Sequence, residues 1–257
     1  MKPVYIVSWL FALAISFVSC DDWLDKTPKD RLYPDVYFKT EDELRLFTNQ
    51  FYNNLVPSAV DIYSESSDLI VKSDLMLEMS GQRIIPDEGN GWNFTALRDI
   101  NFYLQYSHNC TEVNARNRYD GVARFFRAYF YFEKVKRYGD IPWYDKALDS
   151  DDPELYKARD SREFVMQKML EDLDFAIANL PKTKNAYVLT RWTALALKSR
   201  VCLFEGTFRK YHGLEDCEKY LNACVSASET FMNESGYTLY KSGSTPYRDL
   251  FASINLQ

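Results

Sequence analysis

Cys20 closes an apolar run, Val4 to Val18, and is followed at once by Asp21, Asp22 and Asp25. A cysteine so placed can be a buried thiol, half of a disulfide, a metal ligand or a point of attachment to a membrane. Metal chemistry finds no support, because His108 and His212 lie far apart and no CxxC pair exists. Four other cysteines follow: Cys110, Cys202, Cys217 and Cys224. Cys217 and Cys224 fall on one predicted helix at a spacing too long to bridge. Cys202 and Cys217 can face each other across a helical hairpin, but buried free thiols are the favoured reading. The run before Cys20 begins with Lys2 and is too short to span a bilayer, which takes ~20 apolar residues. A charged start, a short apolar stretch and small residues at its end make the pattern of a secretory signal.

Catalytic arrangements are not legible elsewhere. Serines and histidines occur without a GxSxG elbow, and there is no GxGxxG or P-loop. Carboxylates are plentiful, but a hydrolytic pair is defined by its separation in space. They read as solvated acids on helix faces. The acidic turn DSDDPE (149–154) lacks the glycine and closing glutamate of a calcium loop. No catalytic residue, cofactor or metal is therefore expected. A net charge of −6 without a basic, aromatic-interleaved cluster also argues against a nucleic-acid partner.

The elements that would position any site are helical. With 257 residues, 46% of them hydrophobic, the chain can bury one large core or two modest ones. Glycine and proline are sparse, which disfavours an all-β chain. Residues 20–38 carry Pro28 and Pro34 and no helical period, and are expected to form an extended acidic tether. Thr40 and Glu43 make a capping box before Leu44, Phe47, Phe51 and Leu55. Residues 58–92, with Gly81, Pro86, Gly89 and Gly91, read as a long irregular excursion. Helices then dominate. One stripe is Leu97, Ile100 and Leu104. A second, Phe125, Ala128, Tyr129, Phe132 and Val135, stops at Gly139. A third runs from Val165 to Leu180 with Asp160 or Glu163 as its cap, and a fourth starts from Thr190. A fifth carries Tyr220, Leu221, Cys224 and Ala227. Short connections predict antiparallel hairpins. RAYFYFEKV (127–135) and SRVCLFEGT (199–207) align loosely, which suggests degenerate tetratricopeptide-like (TPR-like) repetition. The fold class is thus mainly all-α.

Phe17-Val18-Ser19-Cys20 resembles the bacterial lipobox, with Phe17 where leucine is usual, and the acids after Cys20 resemble a surface-export signal. On that resemblance residues 1–19 are a lipoprotein signal peptide and Cys20 the lipidated N-terminus. RFFRAYFYFEKVKRYGDIPWYDKAL (124–148), FKTEDELRLFTNQFYNNL (38–55) and LTRWTALALKSRVCLFEGTF (189–208) resemble, in order and spacing, segments of the SusD/RagB family of outer-membrane nutrient-binding lipoproteins. SGYTLY (235–240) resembles that family's strand-like element. The resemblance implies a TPR-like scaffold over residues 39–257. It also implies a lipid-anchored place on the outer membrane and a SusC-like, TonB-dependent transporter as partner. It further implies non-catalytic capture of a glycan or another nutrient. The family is about twice as long, so the chain reads as its N-terminal half. Glycan capture needs flat aromatic faces and planar polar groups. The region 63–94, which contributes to the family's ligand face, supplies Asp68, Asp74, Arg83, Trp92 and Asn93 as candidates. A packing role is the favoured reading for Trp92, and more strongly for Trp143. Arg124 and Arg127 are expected to pair with the protein's own acids. The alternative function is a TPR-like protein that assembles envelope machinery and binds no nutrient.

Overall fold

A computed structural model describes residues 37–56, 80–84 and 91–252. Cys20, Asp68, Asp74, the expected signal peptide and nearly all of the expected tether lie outside the described residues. From Phe38 onward the described residues belong to one compact unit, Phe38–Gln257. The described residues form seven α-helices and two short 3₁₀ turns, with no strand among them. SGYTLY, expected to be strand-like, follows the sixth helix as irregular chain, with Tyr237 stacked on Phe231 at 5.6 Å. A lone extended segment has no neighbouring strand here with which to build a ladder.

Helix α1, Glu41–Leu55, starts from the expected capping box. Thr40 Oγ1 accepts from the Glu43 amide at 3.3 Å, and Glu43 Oε2 accepts from the Thr40 and Lys39 amides. Three acids in the first turn complement the helix dipole. Phe38, just ahead of the cap, has φ 65 yet is fully buried. Rings from Phe47, Phe102 and Tyr103 lie 5.0 to 6.1 Å from it. The left-handed backbone costs ~1–2 kcal/mol, and burying a phenyl ring returns ~1.5–3 kcal/mol. The core contact wins.

Helix α2, Thr95–Tyr106, buries Leu97, Ile100, Asn101 and Tyr103. Helix α3, Val113–Tyr138, is central and buries residues on several faces, because α1, α2 and the next helix all pack on it. It stops at Gly139, whose φ of 71 favours a residue without a side chain. Helix α4, Arg162–Asn179, is capped by the Ser161 hydroxyl on the Phe164 amide. The expected cap, Asp160, is instead engaged with the preceding loop. Its Oδ2 accepts from the Trp143 amide at 2.7 Å, and its carbonyl accepts from the Ile141 amide.

Helix α5, Arg191–Tyr211, starts from the expected Thr190, whose capping box is completed by Thr193. Helix α6, Cys217–Glu234, follows, and α7, Pro246–Ala252, ends the described chain. The contact registers show antiparallel hairpins. Gly121 meets Ala176 while Arg127 meets Asp172 on α3 and α4. Arg162 meets Glu205 while Lys198 meets Asp174 on α4 and α5. Gly206 meets Leu221 while Ser199 meets Ser228 on α5 and α6. This is the TPR-like scaffold expected from the sequence.

All four described cysteines are free thiols. Cys110 and Cys202 are buried, while Cys217 and Cys224 are partly exposed. The thiol that acts on Cys202 across the hairpin is that of Cys224, not Cys217, because Cys217 sits at the first turn of α6. Burial pushes the Cys202 thiol up to about 12, against the nearby Lys198 ammonium.

Candidate functional site

The candidate site lies where the start of α2 meets the loop after α3. Lys134 on α3 donates to the Gly91 carbonyl. Gly91 has φ 82, and a Cβ there would sit 3.3 Å from the Tyr138 hydroxyl, so this approach to α3 needs glycine. The next residue, Trp92, is thereby set edge-on to Tyr138 at 4.9 Å and to Phe94 at 5.3 Å. Trp92 is still 40% exposed. Phe94 in turn meets Phe130 and Tyr144 at 5.8 Å. Burial lowers the affinity of Lys134 for its proton, with Arg137 acting the same way.

The facing wall is the loop 141–148, held by four groups from other elements. The Tyr131 hydroxyl accepts from the Tyr144 amide at 2.7 Å. Asn101 Nδ2 donates to the Tyr144 and Lys146 carbonyls. Asp160 accepts from the Trp143 amide, and Lys157 donates to the Trp143 carbonyl at 2.6 Å. Trp143 itself is buried, stacked on Tyr131 with centroids 4.3 Å apart, as the packing reading expected. Arg127 completes the frame. It lies 5.1 Å over the Trp143 ring, forks onto Asp172 and donates to Asn101 Oδ1. Arg124 also pairs with Asp172, so both arginines serve the protein's own acid.

Between these walls is a cavity of ≈ 530 Å³. Trp92, Phe94 and Tyr144 supply rings, Leu97 and Leu155 supply apolar surface, and Arg98, Lys146, Lys157 and Arg159 supply cations. The volume suits a small organic ligand or a short stretch of a polymer. Tyr144's phenol is pushed up by burial and by Glu154 and Asp160, so it stays protonated and donates to the Leu155 carbonyl.

Among the sequence candidates, Trp92 lines this cavity. Asn93 does not. Its Oδ1 accepts from the Thr95 amide at 2.8 Å, at the start of α2, and its side chain lines a neighbouring cavity with Asp99, Glu133 and Lys134. Arg83 is exposed in the short described stretch 80–84. Phe94, Arg98, Lys157 and Arg159 are not among the residues that the sequence singles out, and Tyr144 stands there only beside the packing residue Trp143. Tyr144 belongs to the GDIPWY stretch, whereas the others lie well away from it along the chain and carry no motif of their own. Among the described residues no cluster of three or more His, Cys, Asp or Glu is placed to hold a metal, and no helix is long and apolar enough to cross a membrane.

A family model described as "Starch-binding associating with outer membrane" (SusD-like) matches residues 52–191, just over half of the chain. A SusD-like protein of Formosa agariphila is 27% identical over 218 residues, covering 77% of this chain and 43% of that protein. Another from the same organism is 25% identical over 226 residues, covering 79% and 43%. The crystal structure of a SusD-like protein from Bacteroides fragilis aligns with a TM-score of 0.60 at 22% identity, over 84% of this chain and 42% of that one. The chain thus spans less than half the length of the curated relatives it matches.

Proposed function

This chain belongs to the SusD-like family of starch-binding proteins that associate with the outer membrane, and from that premise we propose that it captures a glycan in the Trp92 cavity without transforming it. The observation that carries the reading is the wall made by Trp92, Phe94 and Tyr144. Aromatic faces take the C–H surface of a pyranose with little loss of entropy, because each ring has only two side-chain torsions. The cations at the rim offer donors to hydroxyl and ring oxygens.

The remaining parts follow the family. Cys20 carries the acyl chains that hold the protein on the outer membrane, with its scaffold facing outward. Several chains on one cysteine give stable attachment where a single one does not. The captured glycan, or a peptide-like nutrient in its place, passes to a SusC-like, TonB-dependent transporter.

Calorimetric titration of the chain with a panel of neutral and charged oligosaccharides tests the central claim. Saturable binding that weakens in Trp92→Ala is expected. A panel in which nothing binds would overturn glycan capture and leave the alternative, an envelope-assembly protein, as the better reading. Labelling cells with a palmitate analogue tests the anchor. Equal labelling of Cys20→Ala would overturn it.

A further inference from the structure

The Trp92 cavity is more cationic than neutral sugars require. Arg98, Lys146, Lys157 and Arg159 line it, and no carboxylate does among its described residues. The chain as a whole carries −6, so this local excess runs against the global charge. Two of the four are partly neutralised from outside. Lys157 pairs with Asp160 at 3.0 Å, and Lys146 reaches Asp152 at 3.5 Å. Arg98 uses its Nε on the Leu148 carbonyl, which leaves the terminal amino groups of its fork. Its neighbour Asp99 lines the other cavity. Arg159 makes no ion pair among the described residues. Its guanidinium instead lies over the Trp92 ring, 4.9 Å from the centroid.

That placement has a chemical consequence. The indole face covered by Arg159 is one of the faces on which a sugar would stack. A neutral sugar that takes this face must displace the guanidinium and offers it only neutral hydroxyl and ring-oxygen acceptors in return. A sugar bearing an anion offers a fork-matched partner in exchange. Arginine suits this exchange because its planar fork pairs with the oxygens of an anion bidentately.

We propose that the Trp92 cavity selects acidic saccharides, those carrying a carboxylate or sulfate, and that Arg159 enforces the selection by leaving the indole for the anion. This rests on the reading above that the cavity takes a saccharide.

The experiment is calorimetric titration of the full chain with two matched pairs. One is an oligogalacturonide against its methyl ester, and the other is an oligomeric dextran sulfate against dextran of the same size. At least one acidic member is expected to bind about tenfold tighter than its neutral partner, and the arm that shows it names the anion. Arg159 is exposed, so Arg159→Gln keeps the fold, checked by far-UV circular dichroism. In that variant the acidic ligand should lose most of its advantage while the neutral one binds as well or better. Trp92→Ala should weaken both. Equal binding of acidic and neutral members would overturn the selection and leave glycan capture standing. Binding of neither would overturn both. An acidic preference undiminished in both Arg159→Gln and Arg98→Gln would show that the selection arises elsewhere and overturn the role given to this cavity.

Discussion

Arg127 and Asp172 meet across the α3–α4 interface by two parallel bonds, Nε to Oδ2 at 2.6 Å and Nη2 to Oδ1 at 2.7 Å. Both side chains are nearly excluded from solvent, at 8% and 2% exposure. The third arm of the guanidinium reaches Asn101 Oδ1 at 3.3 Å, and Asn101 in turn holds the Tyr144 and Lys146 carbonyls. One ion pair thus ties the scaffold to the wall of the cavity. Asp172→Asn leaves a buried guanidinium without its counter-charge and should cost ~3–5 kcal/mol in urea unfolding. The double variant Arg127→Met, Asp172→Leu should recover much of that loss. The recovery is incomplete because Asn101 loses its donor. A single variant that unfolds with the parent's midpoint would refute the account.

Trp92 and Trp143 should separate stability from binding. Trp143 is 6% exposed and stacked on Tyr131, so Trp143→Ala should cost ~3–5 kcal/mol. Trp92→Ala removes a half-open ring with two edge contacts and should cost about 1 kcal/mol. Saccharide affinity should fall about tenfold in Trp92→Ala. Thermal melts run beside a saccharide titration decide it. The reverse ranking of stabilities would contradict the packing described.

Two helical glycines predict different outcomes. Alanine is favoured over glycine inside a helix by ~1 kcal/mol. At Gly121 an added Cβ would meet Leu180 at 3.4 Å, an ordinary contact with a side chain that can adjust. Gly121→Ala should therefore be neutral or stabilising by up to ~1 kcal/mol. At Gly206 the Cβ would lie 2.8 Å from two Leu221 side-chain carbons and 3.1 Å from its backbone nitrogen. The backbone cannot yield without moving α6, so overpacking of ~1–3 kcal/mol should win. The denaturant midpoint of Gly206→Ala should fall while that of Gly121→Ala holds or rises.

Asp120 predicts a dependence on pH. Burial between α2 and α3 raises its carboxyl, against the Ser107 and Tyr103 hydroxyls and the nearby Arg124 and Arg116. A carboxyl whose folded value is raised stabilises the fold when protonated. That contribution is lost as pH climbs from its ordinary value of 3.8 through the folded one. Asp120→Asn should therefore be more stable than the parent at pH 7, with a flatter profile above pH 4. Glu163 has the opposite sign. Burial works against its charge, but Arg209 and Lys219 outweigh it and hold the carboxyl below 4.5. Its contribution is present at neutral pH and lost as acid protonates it. Urea midpoints between pH 3 and 8 would show both slopes, and a profile unchanged by Asp120→Asn would remove the first.

What the sequence determined alone was local. The Thr40–Glu43 box, the Thr190 cap and the stop at Gly139 depend on residues within one turn of each other, so their spacing is enough to read them. The helical hairpins were legible for the same reason, since apolar period and loop length are written along the chain. The tertiary structure decided everything that depends on direction. Asp160 looked like a cap, but it faces the loop ahead of it and leaves that place to Ser161. Trp92 and Asn93 are adjacent in sequence and line different cavities, because Asn93 turns back to the first turn of α2 while Trp92 packs on α3. Arg159 comes to Trp92 from a loop far along the chain, and no spacing rule connects the two. The cavity exists only once α3 has brought those distant segments together, so its cationic character became visible only in the folded chain.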